Sequence, residues 1–290
     1  MKIAVTGATG FIGSALTNSL QGAGHEVVGL RRPTDWDPEK RSVDTSVFQG
    51  VDAVVHLAGE NIASGRWSAA RKERIRGSRA SPTRLIAEAI AGMADRPQVL
   101  VSASAIGYYG DRGAEVLREE SGPGRGFLAD VCKEWEAATD PATRKGIRVV
   151  HLRTGLVLGK NGGALAKMLL PFKLGIGGRI GSGDQYWSWI SLEDVCAAIQ
   201  HCIQAASLHG AVNLVSPVPV TNLEFTRALG RVLGRPTIFP LPAFAARLAL
   251  GEMADALLLA SARVEPAKLQ ASRFVFHYKD LEAALRQLLR

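Results

Sequence analysis

Short apolar runs alternate with helical patterns along most of the chain. The runs are rich in β-branched residues and bounded by glycine or polar residues, which is typical of strands buried in a parallel sheet. Between them, apolar residues recur every three or four positions, as on the buried face of a helix. Strands are predicted at residues 3–5, 26–30, 52–57, 147–152 and 212–215, with another beginning at residue 99. Strands that alternate with helices predict right-handed crossovers and an α/β fold on a parallel sheet.

The helical pattern is clearest in long segments between these runs. Residues 68–92 and 124–145 each predict one helical segment. Asn222 is the predicted N-cap of a helix over residues 223–233, because asparagine is a favoured capping residue. Near the C-terminus an apolar stripe predicts a last helix, through Leu281, Ala284, Leu285 and Leu288.

A glycine-rich turn joins the first strand to the first helix. Gly7, Gly10 and Gly13 follow residues 3–5, and the helical pattern begins directly at Phe11. Glycines let the backbone approach a diphosphate, and a helix N-terminus supplies free N–H groups and partial positive charge. The turn therefore predicts a nucleotide site in a Rossmann-type doubly wound sheet. Its predicted contacts are Gly7, Thr9, Gly10, Phe11, Ile12 and Gly13.

The second strand ends in two arginines. In an NAD site a carboxylate near this position binds the ribose 2′-hydroxyl. Here Arg31 and Arg32 occupy the place, and arginine pairs bidentately with a 2′-phosphate. Asp35 and Asp37 lie further along, beyond Pro33. The pattern favours NADP over NAD, with a solvated pair of strand-end charges as the alternative.

The ends of other strands supply further candidates. The strand at 52–57 ends in small residues, which suit close approach of an adenine or ribose. Ligands bind at the carboxyl ends of strands in open α/β sheets. His56 lies inside this strand, and we interpret it as a packed histidine. The further predicted cofactor contacts are Leu57, Ala58, Gly59, Glu60, Arg79 and Leu156.

Composition narrows the functional class. The 290 residues carry a formal net charge of +8, but no run of like charges and no basic–aromatic interleaving indicates a nucleic-acid surface. No apolar run approaches the ~20 residues of a membrane helix. Cys132, Cys196 and Cys202 show no metal or disulfide spacing and predict reduced core thiols. We expect a cytoplasmic protein with no metal, no nucleic-acid partner and no membrane partner.

The composition of the sequence changes after residue 155, where glycine-rich loops and helical patterns replace the alternation of strands and helices. Glycine-rich loops at 159–163 and 175–183 flank a predicted helix at 164–174, and the end of the chain is rich in helical patterns. We expect an NADP-binding Rossmann domain at residues 1–160, completed by about 188–216. A smaller, helix-rich C-terminal substrate lobe is predicted from residues 161–187 and 217–290.

Several motifs together resemble the extended short-chain dehydrogenases/reductases. The chain is most similar to an atypical branch usually labelled epimerase family protein or nucleoside-diphosphate-sugar epimerase. The resemblance covers nearly the whole chain and implies an NADP(H)-binding Rossmann domain with a family-specific C-terminal lobe. The residues that carry it are 6–13 (TGATGFIG), 52–59 (DAVVHLAG), 104–108 (SAIGY), 58–62 (AGENI), 170–175 (LPFKLG) and 181–183 (GSG).

The catalytic residues of that superfamily are only partly present. The superfamily uses a serine and a Tyr-x-x-x-Lys pair, in which tyrosine moves the proton as hydride is transferred. Ser104 matches the serine and Lys133 the lysine, but Ala129 stands where the tyrosine belongs. The usual proton shuttle is therefore missing. Tyr108, Tyr109 and Glu60 are the candidates to replace it.

Three interpretations remain at this point. The first is an oxidoreductase or epimerase that acts at a carbinol or carbonyl carbon, on a small molecule for which a nucleotide sugar is one candidate. The second is a non-catalytic NADP(H)-binding sensor or scaffold in which Lys133 only contacts the ribose. The third covers nucleic-acid binding or an unrelated function. Arg153 and Arg179 suit either an anionic substrate or a structural ion pair, and the protein is expected to be a monomer or a homodimer.

Overall fold

Six parallel strands form the central sheet of the computed structural model, which describes residues 1–160 and 162–290. The strands are β1 Lys2–Thr6, β2 Glu26–Leu30, β3 Ala53–His56, β4 Val99–Ala105, β5 Arg148–Thr154 and β6 Gly210–Leu214. Their order across the sheet is β2-β1-β3-β4-β5-β6, and all neighbours pair in parallel. The predicted α/β fold with a parallel sheet is confirmed.

Helices cover both faces of the sheet and fill the space beyond its carboxyl edge. They are α1 Phe11–Gly22, α2 Ala69–Gly77, α3 Ala80–Ala91, α4 Phe127–Ala137, α5 Asp140–Arg144, α6 Gly163–Lys173, α7 Leu192–Gln204, α8 Asn222–Leu233, α9 Ala243–Leu250, α10 Glu252–Ala254, α11 Ala267–Ala271 and α12 Leu281–Leu289. Short 3-10 helices lie at Thr45–Phe48 and Ile106–Tyr109, and a π-helical turn lies at Asp255–Leu259.

Short strands pair outside the central sheet. The pairs are Trp36–Asp37 with Ser42–Val43, Val116–Leu117 with Arg263–Val264, Leu156–Gly159 with Trp189–Ser191, and Tyr186–Trp187 with Val220–Thr221. None of the described helices is both long and apolar enough to cross a membrane.

The strand order creates one crevice. From β1 the chain moves outward to β2 and then returns to β3 on the other side of β1. The loops after β1 and β3 therefore leave the sheet in opposite directions, and ligands bind at such a switch point in open α/β sheets. The glycine turn after β1 lies at this position.

Two predicted helical segments are each divided in the structure. The segment at 68–92 forms α2 and α3, separated at Ser78 and Arg79, and the segment at 124–145 forms α4 and α5. At the first break the Arg79 guanidinium donates to the Ile75 carbonyl of α2 and, over a longer range, to the Glu60 carbonyl. Helical periodicity does not detect such a break.

The predicted N-cap of α8 is wrong by one residue. Thr221 caps the helix, and its side chain and that of Glu224 form a capping box. Asn222 begins the helix and instead accepts a hydrogen bond from the Ile180 N–H at 2.7 Å. Adjacent polar residues suit the cap equally by sequence, and a long-range contact decides between them.

Four apolar clusters form the core of the described part of the chain, and the smallest lies around Tyr109 and Val264. Two lie on opposite faces of the sheet. A third cluster, which we call the Trp189 core, is formed around Trp189 and Phe225 and joins α6, α8 and α12. Cys132, Cys196 and Cys202 are buried free thiols, as predicted, and burial raises the pKa of each to about 12.

The interior position of His56 predicts acid sensitivity. His56 is fully buried and shares a 2.7 Å hydrogen bond with Thr6. Burial, aided by the Arg32 charge, lowers its pKa to about 3. The unfolded chain binds a proton below about pH 6.5 and the folded protein does not, so stability falls as pH drops through this window. We expect a loss of about 2 kcal/mol from this histidine between pH 7 and pH 5.

Urea unfolding at these two pH values measures the effect. His56→Asn removes the titrating group and is expected to reduce the difference between the two unfolding free energies. His209→Asn, at an exposed histidine, is the control and keeps the wild-type difference. An unchanged pH dependence in His56→Asn would contradict the assignment.

Candidate functional site

The glycine turn places the N-terminus of α1 against the end of β1. Gly7 has φ +70°, and a Cβ there would lie 3.0 Å from the Ala58 nitrogen. At Gly13 a Cβ would lie 2.0 Å from the Gly7 carbonyl oxygen, so only glycine fits this close packing. Gly10 caps α1 with no side-chain hydrogen bond. The first N–H groups of the helix are thus left for a ligand.

A cleft of about 650 Å³ opens beside this helix N-terminus, with Thr9, Gly10, Phe11 and Ser14 in its wall. The Phe11 ring is held in a glycine loop. Added Cβ atoms at Gly159 and Gly162 would approach that ring to 2.7 and 2.4 Å. The glycine-rich segment after residue 158 therefore packs directly onto the predicted diphosphate turn.

The loop after β3 forms the opposite wall of the crevice. Arg79 fixes this loop, because its guanidinium donates to the Glu60 carbonyl at 2.9 Å and lies against Gly59, whose Cβ would be 3.7 Å from Cζ. The Arg79 guanidinium also stacks on Trp135, 5.0 Å from the ring centroid. Arg79 thus supports the wall on which Leu57, Ala58 and Gly59 lie. The Arg79 guanidinium is engaged by these carbonyl and ring contacts within the protein.

Glu60 is engaged in ion pairs. Its carboxylate lies 2.5 Å from Arg71 and 3.6 Å from Arg74. Arg71 also donates to the Asn61 carbonyl and to the Ser64 hydroxyl. A carboxylate held in this way organises the loop at 60–64, and it is poorly placed to exchange protons with a substrate.

The two arginines after β2 face solvent. Arg31 has 77% of its side chain exposed and lies 3.8 Å from Asp35. The Arg32 guanidinium stacks on the Trp36 ring, 4.5 Å from the centroid. Asp35 accepts the Arg31 backbone N–H at 2.7 Å, so this carboxylate is directed at the protein chain. Among the described residues Arg32 has no carboxylate partner and Arg31 has only this long contact with Asp35, so both cations suit a phosphate at this strand end.

A buried ion pair occupies the space behind the serine candidate. Arg153 donates to the Glu136 carboxylate from Nε at 2.8 Å and from Nη2 at 2.9 Å. The Ser104 hydroxyl donates to the same carboxylate at 2.8 Å. Burial acts to lower the pKa of Arg153, but the Glu136 carboxylate outweighs it, and the net pKa is raised. Ser104 is therefore held by Glu136 and does not point freely into the crevice.

Tyr109 belongs to the same buried network. It is fully buried, and its hydroxyl donates to Asn213 Oδ1 at 2.7 Å and contacts the Arg118 carbonyl at 3.0 Å. Arg153 donates to this hydroxyl at 3.0 Å. Burial raises the pKa of Tyr109 to about 12, so the phenol stays protonated and serves as a structural link.

Tyr108 is the tyrosine that remains accessible. Its side chain is half-buried, and the Arg153 guanidinium lies 3.5 Å from its ring centroid. Lys133 lies on α4 and pairs with Asp130 at 2.7 Å. This pairing raises the pKa of Lys133. Helix α4 packs against the 3-10 helix at Ile106–Tyr109, which carries Tyr108. Ala129, in the usual tyrosine position, is buried.

Leu156 lies two residues beyond the end of β5 and begins the short strand Leu156–Gly159. Its N–H donates to the Ser188 carbonyl at 2.8 Å, and a Cβ at the preceding Gly155 would lie 2.4 Å from the same oxygen. This packing brings the half-buried Leu156 to the carboxyl edge of the sheet. Among the described residues no cluster of histidine, cysteine, aspartate and glutamate has the arrangement of a metal site.

Glu136 is the site residue that sequence reasoning missed, since we interpreted it as helix packing. A signal was present, because Ala129, Lys133 and Glu136 are spaced i, i+4, i+7 and share one face of α4. Its partner Arg153 lies on β5, directly opposite Ser104 in the register of the sheet. Pattern along one helix does not reveal that pairing.

Comparison with known proteins places this geometry in a family. Residues 3–214 match the NAD dependent epimerase/dehydratase family, and residues 241–288 match a domain of unknown function, DUF1731. An epimerase family protein of Mycobacterium bovis is 46% identical over 98% of this chain and 96% of its own length.

Solved structures agree with this match. The human epimerase family protein SDR39U1, solved with NADPH, has a TM-score of 0.89 and 35% identity, with 99% of each chain covered. The UDP-N-acetylglucosamine 4-epimerase of Bacillus cereus shares the fold, with a TM-score of 0.77 at 20% identity over 99% of this chain and 98% of its own. The chain therefore belongs to the NAD dependent epimerase/dehydratase family, as an atypical extended short-chain dehydrogenase/reductase of the SDR39U1 type.

Proposed function

We propose that the protein binds NADP(H) and acts as an oxidoreductase or epimerase on a small molecule with a carbinol or carbonyl carbon. The human relative was solved with NADPH, and the crevice of this chain fits such a cofactor. Gly7 and Gly13 allow close approach to the turn, and the N-terminus of α1 carries no side-chain cap. Bound NADP(H) would supply the hydride acceptor or donor.

The chain's own contacts to the cofactor follow from the placement of these residues. The turn at residues 7–13 would bind the diphosphate, and Arg31 and Arg32 would bind the 2′-phosphate. Leu57, Ala58 and Gly59 would line the adenosine side, and Leu156 the nicotinamide side. The elements around the Trp189 core, α6, α8 and α12, would form a substrate lobe and cover the substrate.

Tyr108 carries the catalytic part of the proposal. It is the half-buried phenol just beyond the carboxyl end of β4, and the Arg153 guanidinium lies against its ring. Lys133 lies on α4, which packs against the 3-10 helix that carries Tyr108. The Tyr108 hydroxyl can hold or release the proton of a substrate oxygen, which is the task of a positioned tyrosine in general acid–base catalysis. Ser104 and Glu136 then act as the scaffold that fixes Arg153 beneath the ring.

The rate of NADPH oxidation, compared between the wild type and a variant that lacks the Tyr108 hydroxyl, tests this assignment. With a panel of carbonyl substrates, NADPH oxidation by Tyr108→Phe is expected to fall about 100-fold, in the range typical of general acid–base catalysis, while NADPH affinity stays unchanged. Tyr278→Phe removes a hydroxyl beside Glu193 and is the control. Full activity in Tyr108→Phe would exclude the residue.

A non-catalytic NADP(H) sensor is the second candidate, and one observation favours it. The Ser104 hydroxyl, which would polarise a substrate oxygen in the superfamily, donates instead to Glu136 at 2.8 Å. Turnover absent from the whole substrate panel, together with tight NADPH binding, would support this reading.

The cofactor preference gives a separate prediction. Arg31→Asp combined with Arg32→Ser is expected to weaken NADPH binding about tenfold to 100-fold, because loss of the charged contacts to the 2′-phosphate should cost about 1.5–3 kcal/mol in total. NADH lacks the 2′-phosphate and should lose little. Titration by nicotinamide fluorescence at one salt concentration measures both, with Arg144→Ser as a control for charge loss at an exposed site on α5. Equal losses for the two nucleotides would remove the 2′-phosphate assignment.

A further inference from the structure

Large apolar side chains protrude from the surface around α6 and α9. Six of them are between 58% and 76% exposed, and together we call them the apolar surface: Leu170, Leu174, Ile176, Ile238, Phe244 and Leu248. Single exposed apolar residues are ordinary in soluble proteins, but a group of this size marks an interaction site.

The segments that carry the apolar surface run side by side. The Leu241 N–H donates to the Arg179 carbonyl at 2.8 Å, and Leu241 forms a parallel bridge with Ile180. Further back, a Cβ at Gly178 would lie 1.9 Å from the Phe239 carbonyl oxygen. Helix α6 leads into the first segment, and α9 follows the second. The six side chains therefore belong to one continuous part of the molecule.

The two chain segments that carry the apolar surface bear charges of one sign. Residues 162–183 and 225–251 contain seven lysines and arginines and no aspartate or glutamate. Arg231 and Arg247 are neutralised by Glu282 and Asp255, which lie outside these segments. The other five form no ion pair within the described part of the chain, and Lys173, Arg179 and Arg235 are among them. Protruding apolar side chains with lysines and arginines around them match the interface of an anionic lipid bilayer.

We propose that this surface docks the protein on the face of a membrane rich in anionic lipids. The apolar side chains would enter the headgroup region, and the lysines and arginines would contact lipid phosphates. A second copy fits less well, because a two-fold interface through this surface would set its cations against themselves. The expectation of no membrane partner rested on the lack of a spanning segment, which surface docking does not require.

Co-sedimentation with lipid vesicles tests the proposal on the full chain. We expect binding to vesicles of phosphatidylcholine mixed with phosphatidylserine, and much weaker binding to phosphatidylcholine alone. Phe244→Glu combined with Leu248→Glu should reduce binding at least about tenfold, since two buried apolar side chains are lost. Lys173→Glu combined with Arg235→Glu should reduce it by roughly fivefold per charge and weaken the salt dependence.

Val275→Glu is the matched control, because Val275 is 77% exposed but lies outside both segments. It should bind vesicles like the wild type, and circular dichroism should show all variants folded. Failure to bind the mixed vesicles, or an equal loss in Val275→Glu, would overturn the proposal. A protein that does not bind vesicles but forms a concentration-dependent dimer would also overturn it, if Phe244→Glu with Leu248→Glu abolishes that dimer. Self-association would then explain the apolar surface.

Discussion

Replacing Gly13 with alanine is expected to weaken NADPH binding about 100-fold or more, a loss of about 2.7 kcal/mol. The new methyl group would lie 2.0 Å from the Gly7 carbonyl oxygen and 2.8 Å from its carbon. Both atoms are backbone, so the clash can be relieved only by moving α1 away from β1. That movement displaces the N–H groups that would bind the diphosphate, and overpacking of this kind also costs about 1–3 kcal/mol of stability.

Gly22 provides the control within the same helix. Nothing lies within 4 Å of a Cβ built there, and alanine is favoured over glycine in a helix by about 0.5–1 kcal/mol. Gly22→Ala should therefore bind NADPH normally and unfold at slightly higher urea. Nicotinamide fluorescence and urea unfolding give both quantities. Normal affinity in Gly13→Ala, or an equal loss in both variants, would show that the turn does not bind the cofactor.

Local features of the fold were predictable because their causes are local. The strand at 3–5, the glycine turn and the start of α1 at Phe11 all follow from residues adjacent in sequence. The break between α2 and α3 did not, since Arg79 turns toward a carbonyl 19 residues earlier. The cap of α8 was misplaced for the same reason, because Asn222 is drawn to the Ile180 N–H across the lobe. Tertiary contacts decide these positions.

In the candidate site, too, features that depend on nearby residues were predictable and contacts between distant elements were not. Sequence spacing predicted the cofactor turn, and the family resemblance pointed to Ser104, Lys133 and the missing tyrosine at Ala129. It did not show that Ser104 is held by Glu136, or that Tyr108 and Tyr109 differ in exposure although they are adjacent. Tyr109 turns inward to Asn213 on β6, and Tyr108 lies on Arg153 from β5. The order of strands in the sheet sets these contacts, and the register of distant strands cannot be read from either tyrosine.

The buried ion pair between Glu136 and Arg153 gives the second large prediction. Glu136→Ala is expected to lower the free energy of unfolding by about 3–5 kcal/mol, because it leaves a buried guanidinium without its carboxylate. Only 5% of the Arg153 side chain is exposed. Its remaining partners, the Tyr109 hydroxyl and the Glu119 carbonyl, are neutral. Urea unfolding at neutral pH measures the loss.

A double replacement separates the ion pair from general damage to the core. Glu136→Leu with Arg153→Met removes both charges, and apolar replacements of a buried pair are often neutral or stabilising. It should recover most of the stability lost in Glu136→Ala. Arg144→Ala breaks a largely exposed pair with Asp140 and should cost at most about 1 kcal/mol. If Glu136→Ala is as stable as Arg144→Ala, the pair does not hold β5 to α4. If instead the double variant is no better than the single one, Ser104 and Tyr109 need these charges for their positions, and Tyr108 would lose its support as well.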